Sequence, residues 1–221
     1  MTSVPSATTW GSPAATKYAL LIHGLTSSSH TWHRVASSLA AQGTIHSRYS
    51  SPKYSTLSGY FVTAANLVGH GFRVSTEYRV SSIAEDLCPY LKARNYSLII
   101  GHSLGALTAL ALFACLPPSY PTAIILVDPP MQPSSEKTSF YNNIFSDSCA
   151  NPRHAEAYGV ENPLWKREDT ISRELGPRLC SVDAVQAIFE VMRGCCSVFW
   201  FAHVTVFLST AKPAMGFSRL S

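Results

Sequence analysis

The chain has 221 residues, of which 46% are apolar and 14% are charged, and its formal net charge is +4. This length and apolar content predict one well-buried domain spanning residues 1–221. Its lysines and arginines form no run that would neutralise a row of phosphates, which argues against a nucleic-acid partner. The most apolar stretch, residues 195–208, falls short of the ~20 residues that cross a bilayer, so we expect no membrane span.

The cysteines and the N-terminal segment suggest a cellular location. None of the six cysteines has the spacing of a zinc site, so we expect unpaired thiols and no bound metal. Residues 1–18 lack the basic patch and apolar stretch of a secretory signal, and we expect residues 1–16 to be a flexible lead. Both observations favour a reducing, cytoplasmic setting.

Two strand–loop–helix units follow this lead. Residues 18–22 form a short apolar run ending at His23, which is typical of a buried parallel strand. The next segment places apolar side chains on one helical face: Trp32, Val35, Ala36, Leu39 and Ala40. A second apolar run, residues 60–64, precedes a helix that we expect Ser81 or Ser82 to cap. Its apolar face consists of Ile83, Ala84, Leu87 and Leu91.

The alternation continues through two more strands. Residues 97–100 are an apolar run that leads into Gly101 and a helix ended by Pro117 and Pro118, because proline cannot continue the helical hydrogen bonds. Residues 123–127 form the fourth strand. Strands alternating with helices predict an α/β fold with a mostly parallel, doubly wound sheet.

The character of the sequence changes after residue 130. Residues 131–194 are more charged and aromatic, and we interpret them as a helical lid inserted after the core of residues 17–130. One clear amphipathic helix follows Ser181, with Val182, Val185, Ile188, Phe189 and Met192 on its apolar face. Residues 195–221 are expected to return to the core, with a fifth strand at residues 204–208.

The strongest chemical motif is G-x-S-x-G at Gly101, Ser103 and Gly105. It lies between a predicted strand and a predicted helix, where a sharp turn lifts the serine hydroxyl out of the sheet and glycines let the strand and helix approach closely. This context predicts that Ser103 is a nucleophile. The alternative is a glycine-rich turn in which Ser103 only caps the helix.

A serine nucleophile requires donors for the oxyanion formed on attack. The backbone N–H of Leu104, at the positive end of the following helix, is one predicted donor, and the N–H of Leu25, in the loop after the first strand, is the other. We interpret His23 and His70 in the neighbouring loops as structural histidines.

Four segments, HGLTSSSHTW, LVGHGFR, GHSLG and IILVDPP, occur in this order over residues 17–130, which therefore resemble the α/β-hydrolase superfamily. The resemblance implies an α/β-hydrolase sheet with a lid and a catalytic triad in the order Ser, acid, His. Lys212 stands where the acid is usually found. Some relatives place the acid after the strand that follows the nucleophile helix, which makes Asp128 the candidate. The alternative is that Asp128 has no catalytic role and is only the first residue of the Asp-Pro-Pro turn.

No histidine is assigned as the general base. The resemblance implies a base on a loop after a further strand, beyond residue 221. His203, the histidine that follows the predicted lid, precedes a strand, and His102 is expected to point away from Ser103. We therefore hypothesise that the chain is an incomplete or mis-assembled hydrolase that lacks C-terminal strands and carries an extraneous segment at residues 44–58. The alternative is a divergent protein with a longer surface loop and a shortened sheet.

The sequence thus predicts a serine hydrolase that acts on an ester, amide or similar small apolar substrate through an acyl-enzyme on Ser103, with no metal and no cofactor. The rival is a non-catalytic protein of the same fold that binds a small molecule, or an inactive truncated product. A nucleotide-binding protein is disfavoured, because the loop after the first strand has a single glycine, Gly24. The sequence does not indicate an oligomeric state.

Overall fold

The computed structural model describes residues 6–41, 59–117, 119–130, 134–194 and 206–209. The strands are β1 (Ala7–Trp10), β2 (Lys17–Ile22), β3 (Tyr60–Ala65), β4 (Leu98–His102), β5 (Ala123–Val127) and β6 (Val206–Ser209). The helices are α1 (His33–Ala41), α2 (Val80–Ala93), α3 (Leu104–Ala111), α4 (Ser135–Ala150), α5 (Ala155–Glu161), α6 (Arg167–Arg178) and α7 (Val182–Gly194). Short 3₁₀ helices cover Ser29–Trp32 and Leu112–Cys115.

The strands form one sheet in the order β1-β3-β2-β4-β5-β6. β1 is antiparallel to β3, and each of the other neighbouring pairs is parallel. The predicted α/β class with a mostly parallel sheet is therefore confirmed. Because parallel strands end at the same edge, the loops after β2, β3, β4 and β5 lie together.

Both faces of the sheet are buried under helices. On β2, Leu20 and Ile22 pack with residues of α2, α3 and α7 on one face. On the other face, Ala19 and Leu21 pack with Trp32 and α1. Successive side chains of a strand point to opposite faces, so a continuous apolar run fits a strand that is covered on both sides. The sheet is doubly wound, as the sequence predicts.

Some predicted boundaries and one predicted segment are corrected. Residues 7–10, expected to be part of a flexible lead, form β1, which pairs with β3 and is fixed by the Thr8 hydroxyl 2.8 Å from that of Ser29. α2 begins at Val80 with Arg79 as its N-cap, so neither Ser81 nor Ser82 caps it.

The helix that follows Ser103 also ends earlier than predicted. α3 ends at Ala111 and continues as the 3₁₀ helix Leu112–Cys115, which tightens the chain before Pro117. Pro118, residues 44–58, His203 and Lys212 lie outside the described residues.

Within the described residues, four helices, α4 to α7, lie between β5 and β6 in the chain. The predicted amphipathic helix is α7, which buries Val185, Ile188 and Phe189 in the core beside the sheet. α4 packs on α7, with the rings of Phe145 and Phe189 stacked at a centroid distance of 6.0 Å. α6 packs on the loop after β2, because a Cβ on Gly176 would lie 2.3 Å from the carbonyl oxygen of Thr26. α6 therefore lies against one of the loops at the edge where the parallel strands end.

Two of the cysteines are paired. A disulfide joins Cys88 of α2 to Cys115, so the expectation of unpaired thiols is wrong for these two residues. The cause is the packing of α2 on the 3₁₀ helix that follows α3. Cys149 and Cys180 are free thiols.

No helix in the described part of the chain is long and apolar enough to cross a membrane.

Candidate active site

Ser103 occupies the turn between β4 and α3. Its backbone has φ 52° and ψ −118°, an unfavourable conformation for a residue with a side chain. Its N–H donates to the carbonyl oxygen of Val127 at 2.9 Å, so β5 holds the turn in place. The Ser103 side chain is partly exposed. The arrangement is a tight strand-to-helix turn that presents a hydroxyl at the edge of the sheet.

The glycines of the motif permit close approach of the backbone. A Cβ on Gly101 would lie 2.2 Å from the carbonyl oxygen of Gly105, and a Cβ on Gly105 would lie 2.2 Å from the carbonyl oxygen of Ile22. Any side chain at either position would therefore collide with backbone. The structure confirms that these glycines bring α3 against β4 and β2.

The loop after β2 borders Ser103. A Cβ on Gly24 would lie 3.1 Å from the Cβ of Ser103 and 2.9 Å from Nδ1 of His102. In the described part of the chain, the N–H groups of neither Leu25 nor Leu104 donate to a protein acceptor. Two unused backbone donors thus flank the contact between Gly24 and Ser103.

Asp128 follows β5 at the same edge. His102 pairs with Val127 in the sheet register, so Ser103 and Asp128 are the next residues on adjacent strands. Asp128 has φ 48° and its side chain is exposed. Burial lowers the pKa of His102, and the negative charge of Asp128 partly opposes this shift. No hydrogen bond joins Asp128 to Ser103 among the described residues.

His23 and His70 connect the loops after β2 and β3. Nε2 of His23 accepts the N–H of Leu67 at 3.1 Å, and Nε2 of His70 accepts the N–H of Thr26 at 3.1 Å. Since a backbone N–H can only donate, the ring proton lies on Nδ1, which faces Gly24 O at 2.8 Å in His23 and Val68 O at 3.2 Å in His70. Both histidines thus have structural hydrogen bonds at both ring nitrogens.

Burial keeps these two imidazoles neutral. Burial, together with the charge of the neighbouring His70, lowers the pKa of His23 to about 3, and burial lowers the pKa of His70 to about 4. The two rings lie edge to face with centroids 4.9 Å apart. A second proton on either ring would break a hydrogen bond to the backbone of the opposite loop.

His102 lies beside Ser103 and borders the same glycine. Burial lowers the pKa of His102, the charge of Asp128 opposes this effect, and the charge of Arg173 adds to it. No hydrogen bond joins Ser103 to a histidine within the described ranges. The base expected for an activated serine is therefore not found among those residues.

A cavity of about 230 Å³ lies between the loop after β2 and the helical insertion. Ser103 does not line it, but Thr26, two residues beyond Gly24, does. The residues that line it include Thr26, Thr31, Arg34, Trp165, Asp169 and Arg173. The sequence did not indicate Thr26 or Arg173, because neither residue belongs to a motif. The packing of α6 on the loop after β2 places both residues in the lining of this cavity.

One cluster in the described residues has the composition of a metal site. The candidate ligand atoms of His154, Glu156 and Glu174 lie within 4.8 Å of one another. Glu174 already accepts the N–H of Ala155 at 2.7 Å and pairs with Arg178 at 2.8 Å. These contacts account for the cluster as a surface ion-pair network.

Comparison with protein families places these features in context. The profile of the Alpha/beta hydrolase family matches residues 19–213. A comparison with curated protein sequences finds no match.

Several solved structures share the fold. The N-formylmaleamic acid deformylase of Pseudomonas putida is 22% identical over 93% of this chain and 77% of its own, with a TM-score of 0.59. An esterase from a marine microorganism is 19% identical over 93% of this chain and 80% of its own, with a TM-score of 0.59. An N-acyl homoserine lactonase is 16% identical over 88% of this chain and 68% of its own, with a TM-score of 0.53. At these identities the likeness concerns the fold.

Proposed function

Because the chain belongs to the alpha/beta hydrolase family, we propose that it is a serine hydrolase that cleaves a small ester or amide through Ser103. The observation that carries this proposal is the Ser103 turn. Its strained backbone, with φ 52°, is held by Val127 and by two glycines packed against backbone. Such strain is typical of functional sites, and a helix cap does not require it.

In the proposed reaction, Ser103 Oγ attacks the carbonyl carbon and transfers its proton to a base. The carbonyl oxygen becomes an oxyanion that accepts hydrogen bonds from the N–H groups of Leu25 and Leu104. As the oxyanion collapses, the bond to the leaving alcohol or amine breaks and that group takes up the proton. Water then attacks the acyl-enzyme, which releases the acid and restores the Ser103 hydroxyl.

Asp128 is proposed as the acid that orients the base. The sheet register supports this role, since it places Asp128 beside Ser103 at the ends of adjacent strands. The base itself is not assigned. His203 lies outside the described residues. His23 and His70 are neutral, and both ring nitrogens of each already form hydrogen bonds with the backbone.

A second candidate function is ligand binding without turnover. It is favoured by one observation: within the described residues, no histidine forms a hydrogen bond with Ser103. Related folds are named as a deformylase, an esterase and a lactonase, which supports hydrolysis. A small apolar substrate remains the prediction from sequence.

A fluorophosphonate probe tests the assignment of the nucleophile. We expect the probe to label the folded protein at Ser103 alone, as located by peptide mapping. The Ser103→Ala variant should not be labelled. Ser37, which is exposed on α1 far from the turn in sequence, supplies a control, and Ser37→Ala should label like the parent protein.

The outcomes separate the two candidates. An adduct on another serine, or labelling that persists in Ser103→Ala, contradicts the nucleophile assignment. A folded protein that is not labelled at all, and hydrolyses no p-nitrophenyl ester, supports binding without turnover.

A further inference from the structure

Two free cysteines meet where the helical insertion packs on the core. Cys149 lies in the last turn of α4, and Cys180 lies between α6 and α7. Cys180 is a member of the core cluster beside the sheet, and Cys149 packs against that cluster. The two side chains form a hydrogen bond with each other. Two thiols that are 31 positions apart in sequence are therefore neighbours in the fold.

Aromatic packing holds Cys149 at this position. Phe145 precedes Cys149 by four residues, so both side chains lie on the same face of α4. The Phe145 ring stacks on the ring of Phe189 in α7, with centroids 6.0 Å apart. The face of α4 that carries Cys149 is thus directed towards the core.

Cys180 is fixed to the loops at the edge of the sheet. It forms an isolated antiparallel bridge with His70 in the loop after β3. The next residue, Ser181, donates its N–H to the carbonyl oxygen of Gly69 at 3.0 Å. The Cys180 sulfur is also within hydrogen-bond reach of the Thr26 backbone in the loop after β2. A bond to Cys180 would therefore connect α4 to both loops.

The two thiols have different accessibility and acidity. Cys149 is partly exposed, whereas Cys180 is buried. Hydrogen bonds from Cys180 and Ser148 lower the pKa of Cys149, although burial opposes this shift. The hydrogen bond with Cys149 and burial both raise the pKa of Cys180. An accessible, more acidic thiol beside a second thiol is the arrangement of redox-sensitive cysteines, because the thiolate is the species that attacks an oxidant.

We propose that Cys149 and Cys180 are a peroxide-sensitive pair, in which oxidation joins α4 to the segment before α7 through a disulfide. The oxidant is hydrogen peroxide or an organic hydroperoxide. This inference goes beyond the proposed hydrolysis and does not depend on it.

The proposed oxidation has two steps. The Cys149 thiolate attacks one oxygen of the peroxide, the O–O bond breaks, and the leaving oxygen takes up a proton and departs as water or an alcohol. The product is a sulfenic acid on Cys149. The Cys180 sulfur then attacks the Cys149 sulfur, the S–O bond breaks, and hydroxide leaves as water with the proton of the Cys180 thiol. Two electrons pass from the two sulfurs to the peroxide, and exchange with a small thiol reverses the reaction.

Peptide mapping of the unmodified chain tests this pairing directly. The reduced, folded protein is treated with hydrogen peroxide and digested without reductant. We expect a cross-linked peptide pair that contains Cys149 and Cys180, lacks two hydrogen atoms, and separates when glutathione is added. A cross-link from either residue to Cys195 or Cys196, or irreversible oxidation of Cys149 without a cross-link, would overturn the proposal.

Two variants separate the roles of the thiols. Cys180→Ala should stop at the sulfenic acid, so dimedone should label Cys149 at least about tenfold more than in the parent protein, where Cys180 removes the sulfenic acid. In Cys149→Ser, the buried Cys180 should not be labelled. The matched control is Cys195→Ala, which should form the same cross-link as the parent protein. Circular dichroism checks that each variant is folded, and equal dimedone labelling of Cys149 in the parent protein and Cys180→Ala would contradict the role of Cys180.

Hydrogen exchange measures the structural effect of the bond. Backbone amides of α4 should exchange at least about threefold more slowly in the cross-linked protein than in the reduced protein, because a covalent link limits local opening of the helix. Cys149→Ser, treated with the same peroxide, should show no slowing. Unchanged exchange of α4 in a protein shown to be cross-linked would refute the connection between the helix and the loops. Labelling of Ser103 is not needed for any of these measurements, so they stand or fail separately from the hydrolase proposal.

Discussion

Acidification should destabilise the fold through His23 and His70. In the folded protein their pKa values are lowered to about 3 and about 4, whereas both titrate near 6.5 in the unfolded chain. Below pH 6.5 the unfolded chain therefore binds protons that the folded protein excludes. The stabilisation is fully present above pH 6.5 and is lost as the pH falls towards the folded pKa values.

The size of the effect follows from the linkage relation. Each pH unit below 6.5 costs about 1.4 kcal/mol per histidine until the folded pKa is approached, so lowering the pH from 6.5 to 4.5 should remove about 5 kcal/mol for the pair. The total stability of a domain is on the order of 5–15 kcal/mol. A loss of about 5 kcal/mol is therefore a large fraction of a typical domain's stability.

Urea unfolding followed by circular dichroism at several pH values measures this loss. His70→Gln keeps a neutral side chain that can accept the Thr26 N–H but does not titrate, and it should lose only about half as much stability over the same interval. His30→Gln, at an exposed position, should behave like the parent protein. If the parent protein and His70→Gln lose equal free energy between pH 6.5 and 4.5, the buried pair does not cause the pH dependence.

Two further predictions concern the serine turn. Gly105→Ala should lower the free energy of unfolding by about 3 kcal/mol or more in urea titrations, because its Cβ would lie 2.2 Å from Ile22 O, whereas Gly159→Ala, where the nearest atom is 3.8 Å away, should be neutral or slightly stabilising. A similar loss in both variants would show that close approach is not the cause. Asp128→Asn should lower kcat/KM by at least about tenfold while Lys212→Ala leaves it unchanged, since an orienting carboxylate fixes the tautomer of the base; small, equal effects would make Asp128 a turn residue.

The sequence predicted the elements whose signal is local. The strand before Gly101 and the helix after Ser103 each have an apolar pattern, and the glycines between them have a steric reason to be there. The structural role of His23 was also predictable, because the residue precedes the bend that approaches the serine.

Features that depend on distant contacts were not predictable in this way. The strand at Ala7–Trp10 has little apolar character, and it forms because β3 offers an unpaired edge. The disulfide between Cys88 and Cys115 depends on how α2 packs on the segment after α3. Thr26 and Arg173 are distant in sequence, and only the packing of α6 on the loop after β2 places them in one cavity.

The position of the helical insertion has a consequence for the order of folding. Leu98 and its partner Ala123 on β5 are 25 positions apart in sequence, whereas Ile124 and its partner Val206 on β6 are 82 positions apart. Closing the longer loop costs more chain entropy, and contacts of high sequence separation slow folding. We therefore expect β4 and β5 to pair before β6 joins the sheet. The Ser103 turn, held by the N–H bond to Val127, would then form early in folding, while the helices that cover it are still being assembled.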